Sequence, residues 1–292
     1  MRDFLKRLVL VCCVSVLVLL GCAHVSFADA ATDMEAYFAG KESYSGLVDV
    51  PGRGLMRYYA QNDTLWGDLA YEKEGVVTRR PFRDSGCSPS SLAMAVASLI
   101  PDEELSAISG FAKRAYSLCT CSINKARCTR SHARYVITSP RDYARFLPLI
   151  FADFATGNNT MGVVSRNTAA GTGSAYLYKI AEAYGLSITF YDKYAEIKDL
   201  VGQDGIAVVA LAGRGGCFTT VGHYVFLASR DESNVYILDP LCRKYYDSFN
   251  KGFKVNVLQP GLVSMKHSDY WAANFTHFMV LERNPQEINE NP

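Results

Sequence analysis

The amino-acid sequence predicts an α+β fold, in which a helical half precedes a mostly antiparallel sheet. Segments of helical character dominate the middle of the chain up to about residue 202. From residue 206 onward, short segments rich in Val, Ile, Phe and Tyr are separated by turn residues, which is typical of strands. An order in which helices come first and strands follow is expected of an α+β domain. In an α/β domain with a parallel sheet, helices and strands would alternate along the chain.

The composition indicates a folded protein and gives no sign of a disordered chain or of a nucleic-acid-binding protein. The 292 residues are 49% hydrophobic and 20% charged, and they include 18 Tyr and 15 Phe. This much apolar and aromatic material supplies a core and excludes disorder as the main state. The formal net charge is only +1, so charge gives no reason to expect a nucleic-acid partner.

The N-terminus has the pattern of an export signal. Three basic residues precede an apolar run over 8–20, which is too short for an ordinary transmembrane helix but suits a signal peptide over residues 1–30. Two cleavage sites compete. Leu-Leu-Gly-Cys resembles a bacterial lipobox that would leave Cys22 lipidated, and Ala-Asp-Ala over 28–30 would release a secreted chain starting near Ala31. A retained membrane anchor is the third alternative.

The first predicted helix of the body is the one that matters for function. Residues 31–53 are polar and are expected to form an N-terminal arm, ahead of one domain over 54–285 and a tail over 286–292. A short strand is predicted over 55–60. A helix is predicted over 88–100, with Ser88 as its N-cap, apolar residues spaced along one face, and Pro101 ending the run.

The remaining predicted elements complete the two halves. Further helices are predicted near 103–118, 141–155, 174–185 and 194–202, and strands over 206–212, 223–228, 235–238, 253–258 and 278–281. The last five segments supply the predicted sheet.

Cys87 is the first candidate for chemistry. It follows Gly86 directly before the predicted helix, where free N–H groups and the helix dipole stabilise a thiolate and so lower the thiol pKa. The alternative for such a cysteine in an exported protein is half of a disulfide.

His223 and Asp239 are predicted to lie close together. His223 starts an apolar strand after a glycine, and a turn over 230–234 should pair this strand with the one ending at Asp239. A carboxylate beside an imidazole orients the ring and makes it a better base. Taken singly, His223 would more often be structural, and Asp239 before a proline would be a turn former.

Cysteine, histidine and a carboxylate are the set that nucleophilic thiol catalysis requires, because the thiol needs a base and the base needs an orienting group. Gln61 is the candidate that would donate its side-chain amide to an oxyanion at the attacked carbonyl. In isolation, a glutamine in a turn is more simply a surface amide.

Four short motifs stand in order along the chain. They are Tyr-Tyr-Ala-Gln-Asn-Asp with Trp66, Gly-Cys-Ser-Pro-Ser-Ser over 86–91, Gly-His-Tyr-Val over 222–225, and Val-Tyr-Ile-Leu-Asp-Pro over 235–240. Together they resemble the papain-like, bacteriocin-processing peptidase family. The resemblance is greatest to the stand-alone secreted "peptidase-like" relatives of the double-glycine leader peptidases, and it covers residues 54–241.

The resemblance implies a papain-like cysteine peptidase fold and a role for each motif residue. Cys87 would be the nucleophile, His223 the general base, Asp239 the orienting carboxylate and Gln61 the oxyanion donor. Ser88 stands where the family usually has glycine, which puts substrate fit in doubt more than the chemistry.

The remaining cysteines allow two further hypotheses. Cys119, Cys121, Cys128 and His132 supply four soft ligands that could hold a structural zinc, but their spacing matches no common zinc finger and export favours disulfides. We therefore expect no metal and no cofactor. Cys217 and Cys242 flank the predicted hairpin and are expected to be neighbours, either as a disulfide or as two thiols.

These observations predict an exported, monomeric cysteine peptidase or amide hydrolase. Its partner would be a peptide or protein substrate, peptidoglycan-linked peptides included, and it would contact a membrane only through its signal peptide or a lipid anchor. Two alternatives stay open on the same fold: transfer of the acyl group to an amine, as in transglutaminase-like proteins, and a non-catalytic peptide-binding module. A metal or redox role for the 119–132 cysteines is a distant third.

Overall fold

The computed structural model describes residues 40–68, 81–105, 115–118, 133–136, 140–156, 175–243, 246 and 255–283. The predicted signal peptide, the tail over 286–292 and the cysteine cluster at 119–132 lie outside the described residues. None of the helices in the described segments is long and apolar enough to cross a membrane.

The first half of the chain is mostly helical. A two-stranded hairpin opens it, short helices flank one long central helix, and a second small hairpin precedes two more helices. In chain order the elements are β1 (Gly46–Val50), β2 (Gly54–Tyr58), α1 (Phe82–Ser85), α2 (Cys87–Leu99), α3 (Asp102–Leu105), β3 (Ala115–Leu118), β4 (Ala133–Val136), α4 (Pro140–Thr156) and α5 (Ala175–Ala183).

The second half is a seven-stranded sheet. Its elements are β5 (Leu186–Tyr191), α6 (Tyr194–Ile197), β6 (Ile206–Ala212), β7 (His223–Arg230), β8 (Asn234–Leu238), β9 (Asn256–Gln259), β10 (Leu262–Lys266), a 3-10 helix (His267–Ala273) and β11 (Phe275–Arg283). The strand order is β5-β11-β6-β7-β8-β10-β9, and each neighbouring pair is antiparallel. The predicted α+β fold class, with a helical half followed by an antiparallel sheet, is confirmed.

Helix α2 joins the two halves and fixes the position of its own first residue. It is buried without a break from Ser88 to Val96, and it contacts β2, α4, β6 and β7. Its small Ser and Ala side chains let the sheet and helices approach it from several sides, and a helix that is covered all round cannot turn about its axis. The N-terminus of α2 is therefore held in place relative to the sheet.

Both faces of the sheet are covered. Along β6, Ala207 and Val209 pack in the core shared with α2 and α4, whereas Val208 and Ala210 pack in a second core on the opposite face. Strand β7 alternates in the same way, since successive side chains of a strand point to opposite faces. The central strands are consequently apolar along nearly their whole length, and the polar residues gather at the sheet ends.

Several local predictions are corrected by the structure. Helix α2 begins at Cys87, so Ser88 lies inside the helix and is not its N-cap. The helix predicted near 103–118 is wrong at its end, because 115–118 pairs with 133–136 as a strand, and long-range pairing outweighs local helical propensity. The expected N-terminal arm over 31–53 contains strand β1, which pairs with β2.

Candidate active site

One end of the sheet collects the polar residues singled out in the sequence. The first residue of β7, His223, pairs with Ala212, the last residue of β6, and Asp239 follows the last residue of β8. The residue before His223 is Gly222, whose φ of +151° is a conformation that residues with a side chain rarely adopt. The glycine therefore allows the chain to turn out of the 213–222 loop directly into the strand that starts with the histidine.

Cys87 reaches the same place from the other half of the chain. It is the first residue of α2, and Gly86 in front of it closes the short helix α1. A Cβ atom on Gly86 would lie 2.6 Å from the carbonyl oxygen of Phe82 and against the Phe82 ring, so glycine is required for this tight junction. The junction presents a half-buried thiol at the positive end of a long helix.

His223 links the thiol to the carboxylate. Its Nε2 lies 2.6 Å from Oδ1 of Asp239, and its ring hydrogen-bonds the Cys87 thiol. Because Nε2 is bonded to Asp239, Nδ1 is the ring nitrogen that remains to interact with the sulfur. Both His223 and Asp239 are buried, at 5% and 0% exposure. The structure thus brings the three sequence-predicted residues into one continuous chain of hydrogen bonds.

The hairpin that carries the pair has a bulge. Phe226 pairs with Leu238 and Ser229 with Tyr236, and the register shifts between them. If the pairing of Phe226 with Leu238 is extended toward the open end of the hairpin, His223 does not lie directly opposite Asp239. The two side chains meet diagonally instead. The short turn brings the two residues close, as expected. Their offset along the strands could not be predicted from the sequence, because a bulge adds an unpaired residue to one strand.

Asp239 is the most highly coordinated group in the site. Its Oδ1 also accepts the N–H of Leu241 at 2.8 Å, and its Oδ2 accepts the hydroxyl of Tyr246 at 2.5 Å and lies 3.2 Å from Nη2 of Arg243. Arg243 also donates to the carbonyl of Phe218. A buried carboxylate needs this many donors, because a charge that is taken out of water without them is strongly destabilised.

Sequence reasoning missed Tyr246 and Arg243. Their sequence signal was weak: both follow Asp239 within seven residues, and no recognisable motif includes them. A tyrosine and an arginine near a predicted buried carboxylate are suitable donors, but only the folded chain shows which of the nearby polar groups turn inward.

The contacts shift the pKa values of all three groups. Burial alone raises the pKa of the Cys87 thiol, but the hydrogen bond and charge of His223 and the backbone N–H groups of Tyr224 and Ser88 outweigh it, so that the pKa lies below its ordinary value. Burial lowers the pKa of His223, but the charge and hydrogen bond of Asp239 reverse this and raise it to about 9.

The carboxylate completes this electrostatic pattern. Burial alone raises the pKa of Asp239, but the charges and hydrogen bonds of His223, Arg243 and Tyr246 bring it below its usual range. A thiol with a lowered pKa beside an imidazole with a raised one favours a thiolate–imidazolium pair near neutral pH. Such a pair combines a strong nucleophile with a proton donor, which are the two groups needed to cleave an amide through a thioester.

Gln61 lies in the turn after β2. It is 4% exposed, its backbone N–H donates to the carbonyl of Pro240 at 2.6 Å, and its Nε2 donates to the carbonyl of Arg83 at 2.5 Å. Pro240 follows Asp239, and Arg83 belongs to α1, which leads into Cys87. One N–H of the amide is therefore used in holding Gln61 between the two arms of the site, and the other is left for a further acceptor.

The remaining candidate ligands divide into two sets. Cys119, Cys121, Cys128 and His132 lie outside the described residues. Cys217 and Cys242 are described, and neither is in a disulfide, so the disulfide considered between them is not formed. In the described segments there is no group of three or more His, Cys, Asp or Glu side chains that could hold a metal ion.

Comparisons with known proteins identify a family for this chain. The family model described as "Peptidase_C39 like family" matches residues 56–257. A solved structure, a double glycine motif protease from an AMS/PCAT transporter in complex with its leader peptide, is similar over 75% of this chain and 94% of that chain, with 12% identity and a TM-score of 0.32. The curated proteins contain no significant match.

The α+β fold and the family match define the class as a papain-like, peptidase-like protein. The matched segment is well over half of the chain and contains Gln61, Cys87, His223 and Asp239. This chain belongs to the Peptidase_C39 like family.

Proposed function

We propose that the chain is an exported cysteine peptidase or amide hydrolase that acts through Cys87, His223 and Asp239. The observation that carries the proposal is the continuous hydrogen-bonded chain from the half-buried thiol through the imidazole to the buried carboxylate. The family match supports a peptidase-like protein, and the three residues supply the specific chemistry.

The reaction begins at Cys87. The thiolate attacks the carbonyl carbon of an amide, and the carbonyl π electrons move to oxygen, where the remaining N–H of Gln61 stabilises the charge. His223, protonated at the nitrogen that faces the sulfur, gives its proton to the departing amine as the C–N bond breaks. A thioester on Cys87 is left.

Hydrolysis of the thioester returns the site to its starting state. The imidazole, now neutral, takes a proton from a water molecule while the oxygen of that water attacks the thioester carbonyl. The C–S bond then breaks, so that a carboxylic acid is released and Cys87 returns to a thiolate. Asp239 keeps the ring oriented and stabilises the imidazolium in both halves. If an amine attacked in place of water, the same residues would transfer the acyl group, and the product would be an amide.

The substrate class that fits is a peptide or protein, peptidoglycan-linked peptides included. The alternative on the same fold is a module that binds such a peptide without cutting it. The two differ in one measurable property, because catalysis needs a reactive thiolate at Cys87 and binding does not.

The test is iodoacetamide labelling of the mature protein across pH 5 to 9, with each cysteine followed by peptide mapping. We expect selective labelling of Cys87 below pH 7, because its thiol pKa is lowered and loss of labelling begins only as the pH falls through that lowered value. In His223→Ala the thiol loses its strongest charge partner, and labelling at pH 6 should fall by at least about a hundredfold. An unlabelled Cys87, or equal labelling in both proteins, would remove the catalytic proposal and leave the binding module.

Export through residues 1–30 is part of the proposal and is tested separately. Mass spectrometry of the protein made with its full N-terminus distinguishes the two cleavage sites. A diacylglyceryl group on Cys22 is expected from the lipobox, and an unmodified chain starting near Ala31 from the second site. An uncleaved Met1 would overturn export by signal peptidase.

A further inference from the structure

Asp63 is a buried carboxylate that the proposed reaction does not use. It is 1% exposed, and three donors surround it. Oδ1 accepts the N–H of Leu65 at 2.8 Å, while Oδ2 accepts the hydroxyl of Ser43 at 2.7 Å and the N–H of Ser45 at 2.8 Å. Since a buried carboxylate is costly unless its oxygens are hydrogen-bonded, these contacts form a fixed junction between residues 43–45 and the turn after β2.

The junction clamps the turn on both sides of Gln61. On the near side, the N–H of Ala60 donates to the hydroxyl of Ser45 at 2.9 Å, and the carbonyl of Ala60 accepts Nε1 of Trp66 at 2.8 Å. On the far side, the carbonyl of Asp63 accepts the N–H of Gly67 at 2.7 Å. Gln61 thus lies in a turn whose backbone is held by a segment that precedes the first strand.

The remaining contacts of Gln61 connect it to the two segments that lead to the active-site residues. Its backbone N–H is bonded to Pro240 and its Nε2 to Arg83, so the clamped turn lies between the segment that carries Asp239 and the helix that leads to Cys87. Any loosening of the turn would displace the amide relative to the thiol. A displacement of about 1 Å in a positioned catalytic group can cost on the order of a hundredfold in rate.

We propose that Asp63, together with Ser43 and Ser45, is a positioning group that sets the side-chain amide of Gln61 as an oxyanion donor. The N-terminal segment over 43–45 is thereby a working part of the active site. This inference rests on the proposed function, since it requires that Cys87 attack a carbonyl and that Gln61 stabilise the resulting charge.

Two reagents separate this role from a general effect on the thiol. With p-nitrophenyl acetate, the Cys87 sulfur bonds to the carbonyl carbon, the π electrons move to oxygen, and collapse of the intermediate expels p-nitrophenolate and leaves an acetyl thioester. With iodoacetamide, the sulfur displaces iodide from a saturated carbon and no oxyanion forms. The ratio of the two rate constants therefore reports oxyanion stabilisation, independently of how much thiolate is present.

The experiment measures both rate constants in the mature protein and in Asp63→Asn, Gln61→Ala and the double variant. Loss of an oxyanion donor costs about 10²–10³-fold in rate, so we expect Gln61→Ala to slow acetylation by about a hundredfold. We expect Asp63→Asn to slow acetylation about tenfold or more and to leave alkylation unchanged. The double variant should acetylate no more slowly than Gln61→Ala, because Asp63 acts through Gln61.

Asp231→Asn is the matched control. Asp231 also accepts backbone N–H groups within a turn, from Ser233 and Asn234 at 2.7 Å, but it is exposed and belongs to the turn between β7 and β8, at the far end from His223. Neither rate constant should change in this variant. A fall in acetylation equal to that of Asp63→Asn would show that the effect is not specific to the clamp and would overturn the inference.

Ser45→Ala and Ser43→Ala keep the test decisive if Asp63→Asn does not fold. Each removes one hydroxyl group of the junction, and we expect acetylation to slow about threefold without a change in alkylation. Additive loss in Asp63→Asn with Gln61→Ala, or unchanged acetylation in Asp63→Asn, overturns the inference and leaves the proposed function in place. Absence of acetylation in the unsubstituted protein, in contrast, overturns the proposed function itself.

Discussion

Cys87 and Cys217 make an internal comparison, since both are thiols of the same chain at the same end of the sheet. Cys217 is 2% exposed in the core on the second face, and burial is the main reason that its pKa is raised to about 12. Cys87 is half-buried at the N-terminus of α2, and its pKa is lowered. One fold therefore raises the pKa of one thiol and lowers that of the other.

The difference lies in what faces the sulfur. Burial disfavours the thiolate at both positions. At Cys87 the imidazolium of His223 and two backbone N–H groups stabilise the charged form, whereas Arg243 and a backbone N–H are too weak to do so at Cys217. The lowered pKa of the Cys87 thiol therefore depends on its contact with His223, because burial alone raises the pKa of a thiol.

The largest difference between the two thiols is expected in the rate of acetylation when each sulfur is replaced by oxygen. Cys87→Ser should lower acetylation by p-nitrophenyl acetate by at least about a thousandfold, because a serine hydroxyl is not ionised by this histidine as a thiol is. Cys217→Ser is the matched control and should retain the rate of the unsubstituted protein. Equal losses in the two variants would show that the contrast between the thiols is false.

The next effect concerns the carboxylate. Asp239→Asn removes the charge that raises the pKa of His223 and favours the wrong ring tautomer, so acetylation should fall by about 10²–10⁴-fold. Labelling of Cys87 at pH 6 should fall as well, toward the level of Cys217, which is already low because its pKa is about 12. Acetylation within threefold of the unsubstituted protein would break the assignment of Asp239. The measurement is stopped-flow release of p-nitrophenolate.

The smallest effect comes from one donor to that carboxylate. The hydroxyl of Tyr246 stabilises the charged form of Asp239, so Tyr246→Phe should raise the carboxyl pKa. A carboxylate with a raised pKa is protonated earlier as the pH falls. The acid-side loss of Cys87 labelling should therefore move to higher pH, by about one unit.

Tyr236→Phe is the control for this shift. Tyr236 donates to Asp231 at 2.6 Å, in the same kind of tyrosine–carboxylate contact, but on the exposed turn of the β7–β8 hairpin. Its pH profile of Cys87 labelling should overlay that of the unsubstituted protein. An acid limb that moves down in pH in Tyr246→Phe would contradict the stated role of the hydroxyl.

Much of the architecture could be predicted from local sequence. The strands around His223 and Asp239 are apolar runs on either side of a polar turn, so their pairing follows from short-range pattern. The helix at Cys87 was expected within one residue of its start. Strand β3 was not expected, because its partner lies across an intervening segment and local propensity gives no sign of such pairing.

Three of the residues predicted to act together are in contact in the structure, and the groups around them were not predicted. Cys87, His223 and Asp239 meet because a buried helix and a hairpin end at the same place. The contacts of Tyr246, Arg243 and Asp63 could not be predicted, since each is a common polar residue whose role depends on which way its side chain turns once the chain is folded. Sequence patterns indicate chemistry-bearing residues more readily than the groups that support them.

The placement of the bulged hairpin has a consequence for how the chain acquires reactivity. His223 and Asp239 are 16 residues apart, whereas Cys87 lies far earlier in the sequence and reaches them only when α2 docks on the sheet. Closing a short loop is faster than assembling distant segments, so the histidine–carboxylate half should form before the thiol arrives. Until then Cys87 has the ordinary pKa of an unfolded cysteine, so its labelling at pH 6 should report the docking of α2 on the sheet.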